Sequence, residues 1–254
     1  MAKLFNNIRK KLVAEKPSAT RTSNYLKYAI GEIVLVVIGI LIALSINNWN
    51  NARIKNKDAI SLSNRLLIET TKNKKALEEQ ILRVKNLQIE TKSLLTMFGP
   101  KYKLKNSRLL DSLIYSVIST PLYNANSTTL NEALNTGQIS ILQSDSIRAL
   151  LYDIPQRVHN IKNYEEEMIR DIENNIMPYL YENISFRQMD EEFSDEFDLS
   201  TKSKLKYFDN RVVLSKKKFE NMVDNKYFLL ETLLIGYADL HIVYSKTIQF
   251  FEAK

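Results

Sequence analysis

The order of apolar and polar residues divides the chain in two. From Ala29 to Ile46 it is apolar on every side, with Glu32 the one charge. From Ile33 to Ile46 only Gly39, Ala43 and Ser45 interrupt large aliphatic side chains. The 18 residues from Ala29 to Ile46, at about 1.5 Å each in a helix, reach about 27 Å, close to the hydrocarbon thickness of a bilayer. A segment in lipid must close its own backbone hydrogen bonds, so the run is expected to be helical. Tyr25 and Tyr28 on one flank and Trp49 on the other suit interfacial positions, which sets the expected span at residues 25–49. A cleaved signal peptide is the competing reading, because Ala43-Leu44-Ser45 has small residues at cleavage spacing. The long tail ahead of the run, and the length of the run itself, favour an uncleaved anchor. A buried helix of a soluble domain is disfavoured because no face of the run is polar.

Beyond the span the pattern becomes periodic. No Gly or Pro occurs between Ile40 and Phe98, so the helix is expected to continue, with the Asn47, Asn48, Asn50, Asn51 cluster as the expected kink. Leu67, Thr70, Lys74, Leu77, Ile81, Val84, Gln88, Thr91, Leu95 and Phe98 recur by threes and fours. That is a coiled-coil-like seam for packing against other helices, interrupted by Lys74 and Gln88 and ended by Gly99-Pro100. Ser107–Thr120 predicts a shorter helix with Leu109, Leu110, Leu113, Ile114, Val117 and Ile118 inward. Thr129 to Glu132 reads as a capping box, and Gly137 as a left-handed C-cap. Ser144 or Asp145 opens a helix to about Tyr181, which Pro155 should kink. Its stripe is Val158, Ile161, Met168, Ile172, Ile176 and Tyr179. Residues 183–207 read as the least helical part, with an acidic loop at 190–198. A short helix near Lys216–Val223 precedes a last helix, Lys226–Glu252, whose seam is Leu230, Leu233, Tyr237, Leu240, Tyr244, Thr247 and Phe251. Ahead of the span, Leu4, Phe5, Ile8 and Leu12 beside Arg9, Lys10 and Lys11 describe a basic amphipathic helix for the cytoplasmic leaflet, with a linker from Pro17 to Ser23. The expected architecture is all-α. A basic tail (1–24) and a single N-terminal transmembrane helix (25–49) precede an elongated antiparallel helical bundle outside the cytoplasm (50–254).

The stretch YAIGEIVLVVIGILIALSINNWN, Tyr28–Asn50, resembles the N-terminal signature of an uncharacterised family of single-span membrane proteins from Bacteroidota. A looser similarity continues through Thr128–Leu151 and the helical C-terminus. The resemblance implies a bacterial inner-membrane protein whose outer part lies in the periplasm. It supplies no catalytic or binding residues.

Charge refines this picture. The tail through Lys27 has seven basic residues and Glu15, a net +6 of the chain's +7. Just after the span stand only Arg53, Lys55 and Lys57, so the bias places the N-terminus in the cytoplasm. The basicity is therefore a topology signal and an attraction to lipid, not a nucleic-acid surface. With no cysteine, disulfides and thiolate metal sites are excluded. His159 and His241 are the only histidines, and no metal-ligand spacing surrounds them. The acidic loop lacks the glycine of a calcium loop. Tyr227, Phe228, Tyr237, Tyr244, Phe250 and Phe251 read as core at helical spacing. No nucleophile motif, P-loop or dinucleotide fingerprint occurs, so no enzyme activity and no cofactor are expected. The candidate positions lie in or beside the span: Glu32 as an intramembrane carboxylate, Gly39 and Ala43 as a small-residue contact face, and Trp49 as an anchor. The expected partners are the lipid bilayer and a protein, either another chain or a second copy, with no small-molecule substrate identified. The expected role is a structural or protein-interaction module; the alternative is a ligand-sensing bundle that signals through a partner.

Overall fold

Long runs free of Gly and Pro let helices propagate, and they dominate the computed structural model, which describes residues 19–100, 107–192 and 203–253. Helix α1, Ala19–Leu95, covers 77 residues. Residues 19–23, expected as linker, belong to it. The asparagine cluster also lies within it, because asparagine costs only a few tenths of a kcal/mol per position in helix propensity. Met1–Leu12, expected as an amphipathic helix, lies outside the described residues. Among the described residues the regular structure is all helical, with no strand.

The chain divides into two compact units, Met1–Ile60 and Ser61–Lys254. In the first, every residue from Ile30 to Trp49 is exposed, as the all-round apolar pattern demands. In the second, α1 becomes amphipathic. Of the expected seam, Thr70, Leu77, Val84 and Thr91 are buried, but Leu67, Ile81, Leu95 and Phe98 are half-buried. Leu66, Asn73, Leu87 and Leu94, outside that seam, are buried as well, so the buried face is turned slightly from the expected one.

Helix α2, Arg108–Ile118, buries Leu110, Leu113, Ile114 and Val117 but exposes Leu109. Helix α3 is Thr128–Asn135; a 3-10 turn, Gln138–Ile141, follows Gly137, whose φ of 72° is the expected left-handed cap. Helix α4, Asp145–Asp171, contains Pro155 without ending there. The ladder changes later, in a π-helical turn at Ile172–Ile176, and α5, Met177–Asn183, continues. Helix α6, Phe186–Glu192, occupies part of the stretch expected to be least helical; residues 193–202, which include the rest of the acidic loop, lie outside the described residues. After a 3-10 turn, Asn210–Ser215, one helix, α7, Lys217–Glu252, replaces the two expected. The break placed before Lys226 is absent because Val223 and Lys226 continue the inward stripe. The whole expected seam of α7, Leu230 to Phe251, is buried.

The closest helix packing is between α4 and α7. They run antiparallel: Asp171 accepts a hydrogen bond from Asn225 at 3.0 Å, and Arg157 pairs with Asp239 at 3.4 Å. Gly236 permits the approach, since a Cβ there would stand 3.2 Å from Cε2 of Tyr164.

Candidate functional site

In the first unit, Glu32, Gly39, Ala43 and Trp49 all lie on α1 and are exposed. Gly39 and Ala43 stand one turn apart, and a Cβ at Gly39 would meet nothing within 4 Å. The Arg53 guanidinium lies 5.7 Å from the Trp49 ring centroid, a cation–π contact suited to an interfacial anchor. Among the described residues two helices are long and apolar enough to cross a membrane. In α1 the best window has mean hydropathy 2.8 and no buried residue; in α7 it is 1.2 with a third buried, and the inward seam of α7 packs in the core.

The second unit holds ionisable groups in its core that the sequence pattern does not reveal. Glu165 is 5% exposed and Lys226 fully buried. Burial pushes the Glu165 carboxyl above the usual carboxylate range, against the Tyr123 N–H and Tyr237 hydroxyl, which favour its charged form. Burial lowers the Lys226 ammonium to about 7, opposed by the charge of Asp171. Their partners explain them. The connector after α2 enters the core without helical hydrogen bonds, so its polar backbone needs side chains. Lys226 donates to the Ser119 carbonyl at 2.7 Å, and Glu165 accepts from Tyr123 N at 2.7 Å and Tyr237 Oη at 2.9 Å. Tyr123 and Tyr244 join their hydroxyls at 3.0 Å. Asn73 clasps Asn126 through both backbone groups, at 2.7 and 2.9 Å. Glu69 accepts from Thr129 N and Leu130 N at 2.6 and 3.0 Å, capping α3 from another helix. The expected capping box does not form; Glu132 pairs with Arg65 instead. These groups hold a connector in place, and each already has its partner within the core.

A different arrangement lies on the surface between α1 and α7. His241 Nε2 and Glu78 Oε1 stand 2.8 Å apart, and the hydrogen bond holds the Glu78 carboxyl below its usual range. Beside them runs an open groove of about 770 Å³ lined by Ile81, Leu82, Lys85, Gln88, Glu231 and Ile235, among others. Leu82 and Ile89 on α1, and Phe228, Ile235 and Ile242 on α7, are between 50% and 67% exposed. Both sets repeat every seven residues, off the buried seams. That spacing was the available signal in the sequence, hidden by the stronger inward periodicity. His159 is exposed on α4, and His241 pairs with Glu78 on α1. Among the described residues no cluster of His, Asp and Glu could hold a metal ion.

A family model described as a family of unknown function, DUF6090, matches residues 32–180, from Glu32 into α5. No curated protein and no solved structure matches the chain.

Proposed function

We propose, on the premise that this chain belongs to DUF6090, a family of unknown function, that it is a membrane-anchored interaction module. Its N-terminal tail lies in the cytoplasm, one helix crosses the bacterial inner membrane, and the second unit works in the periplasm as an antiparallel helical bundle. It acts without catalysis, by binding protein. The carrying observation is the contrast within α1: apolar and exposed on every side from Ile33 to Ile46, then amphipathic from Leu62 onward. The first pattern suits lipid and the second a water-exposed helical domain. The exposed apolar face on α1 and α7 supports a protein partner, since such faces mark contact surfaces. Glu32 lies about one turn inside the apolar run that begins at Ala29, where its carboxylate reaches headgroup water.

The ligand-sensing reading takes its support from the open groove beside Glu78 and His241. Its apolar rim and openness suit a helix better than a small molecule, which favours enclosed sites.

Sided reporters fused to the C-terminus test the topology. A reporter active only outside should be active, with full-length chain in the membrane fraction. Activity of a cytoplasm-only reporter would overturn the orientation, and a shortened soluble product would overturn the anchor.

A further inference from the structure

We infer that the exposed face shared by α1 and α7 is covered by the same face of a second copy, around a two-fold axis parallel to the helices. This rests on the membrane-anchored reading and names its partner. Glu78 lies beside His241, and Gln88 lines the same groove as Glu231, so α1 and α7 run antiparallel with Leu82 level with Tyr237. Leu82 is then offset from Ile235 by two residues along the axis, about 3 Å, and Ile89 from Phe228 by the same amount. The two seven-residue series share one stagger, which side-by-side interlocking of helices requires.

Charge selects the axis. On the exposed stripe, α1 carries Lys75, Lys85 and Lys92 with Glu78 and Glu79, while α7 carries Lys246 with Asp224, Glu231 and Asp239, the last already paired with Arg157 of α4. One helix is net basic and the other net acidic. An axis parallel to the helices sets α1 of each copy over α7 of the other. Lys85 then falls within one turn of Glu231 of the second copy, and Lys92 within one turn of Asp224. Lys85 and Glu231 form no ion pair within the chain among the described residues. An axis across the helices would instead set basic on basic and acidic on acidic, which opposes association. The parallel axis also brings both α1 helices in from the same end, as two chains anchored in one membrane require. An unrelated helical partner would need neither condition.

The absence of cysteine makes the test direct. Full-length Leu82→Cys and Ile235→Cys chains, with different tags, are co-expressed and oxidised in native membranes. A disulfide should form between the two different chains and not within either population alone. A His159→Cys chain, exposed on α4, should stay uncrosslinked. Lys85→Glu in both tagged chains should lower the mixed product roughly fivefold through like-charge contact, and Lys85→Glu together with Glu231→Lys in both chains should restore it. Absence of the mixed product while the chains stay in the membrane fraction overturns the pairing, and so does an equal Leu82→Cys self-crosslink. Chains found in the soluble fraction would instead overturn the anchor, which the same gel reads separately.

Discussion

At the residue scale, the buried charges are explained by a connector that must bring backbone into the core. Glu165 answers one amide and one hydroxyl at once. Glu165→Ala leaves both donors buried without an acceptor and is expected to cost about 2–4 kcal/mol in urea unfolding of the detergent-solubilised chain. Glu165→Gln keeps an acceptor and should cost less. It also separates packing from charge. Because burial raises the carboxyl's pKa, the folded state holds the proton more tightly than the unfolded one. Wild-type stability is undiminished by this group below the unfolded pKa and declines as pH rises through the folded one. The deficit of Glu165→Gln should therefore shrink as pH rises through that window. Lys226 works in the other direction. Its folded value of about 7 lies below the ordinary 10.5, so the unfolded state binds more protons between them and stability rises with pH there. Lys226→Met removes that rise. The difference between wild type and variant should grow in favour of wild type from pH 7 upward, by at most about 1.4 kcal/mol per pH unit. Parallel curves for the two proteins would remove Lys226 from the account.

At the element scale, α7 was legible from its seam alone, because every inward position from Leu230 to Phe251 carries an apolar side chain or threonine. Its start lies earlier than the expected Lys226, because Val223 and Lys226 carry the inward stripe on, and a lysine reads as surface unless the Ser119 carbonyl it answers is known. The polar core of α1 and α4 was illegible for the same reason. Asn73 and Glu165 answer backbone groups some 40 to 50 positions away, which no local pattern encodes. Likewise α3 is capped by Glu69 from another helix, although its own sequence offers a capping box. The close contact of α4 and α7 turns on Gly236. Gly236→Ala sets two effects against each other: about 1 kcal/mol of helix propensity gained, and a Cβ at 3.2 Å that the half-buried Tyr164 ring must yield to. These nearly cancel. Gly236→Val adds β-branching and volume that a small ring shift cannot absorb, and should cost about 2–3 kcal/mol of unfolding free energy. A Val variant as stable as the Ala variant would mean that the two helices are not held at this spacing.

At the scale of the whole molecule, the sequence separates a lipid-suited segment from a periodic helical one because the two environments impose different patterns. All-round hydrophobicity satisfies lipid; a single stripe satisfies a core next to water. The surface shared by α1 and α7 escapes that division, since its seven-residue series sits on faces that the same logic assigns to solvent. Orientation depends on something the fold does not encode, namely which flank holds more basic residues. Seven stand in the tail and three just beyond the span. Replacing Lys3, Arg9, Lys10 and Lys11 with alanine leaves the tail three basic residues, equal to Arg53, Lys55 and Lys57, and leaves α1 and the second unit unchanged. The C-terminal reporters should then divide between the two sides of the membrane, because orientation follows the difference in Lys and Arg between the flanks. Restoring two of the four lysine and arginine positions should return the outside signal. A variant that stays wholly outside would show that translocation of the second unit, rather than the basic tail, sets the orientation.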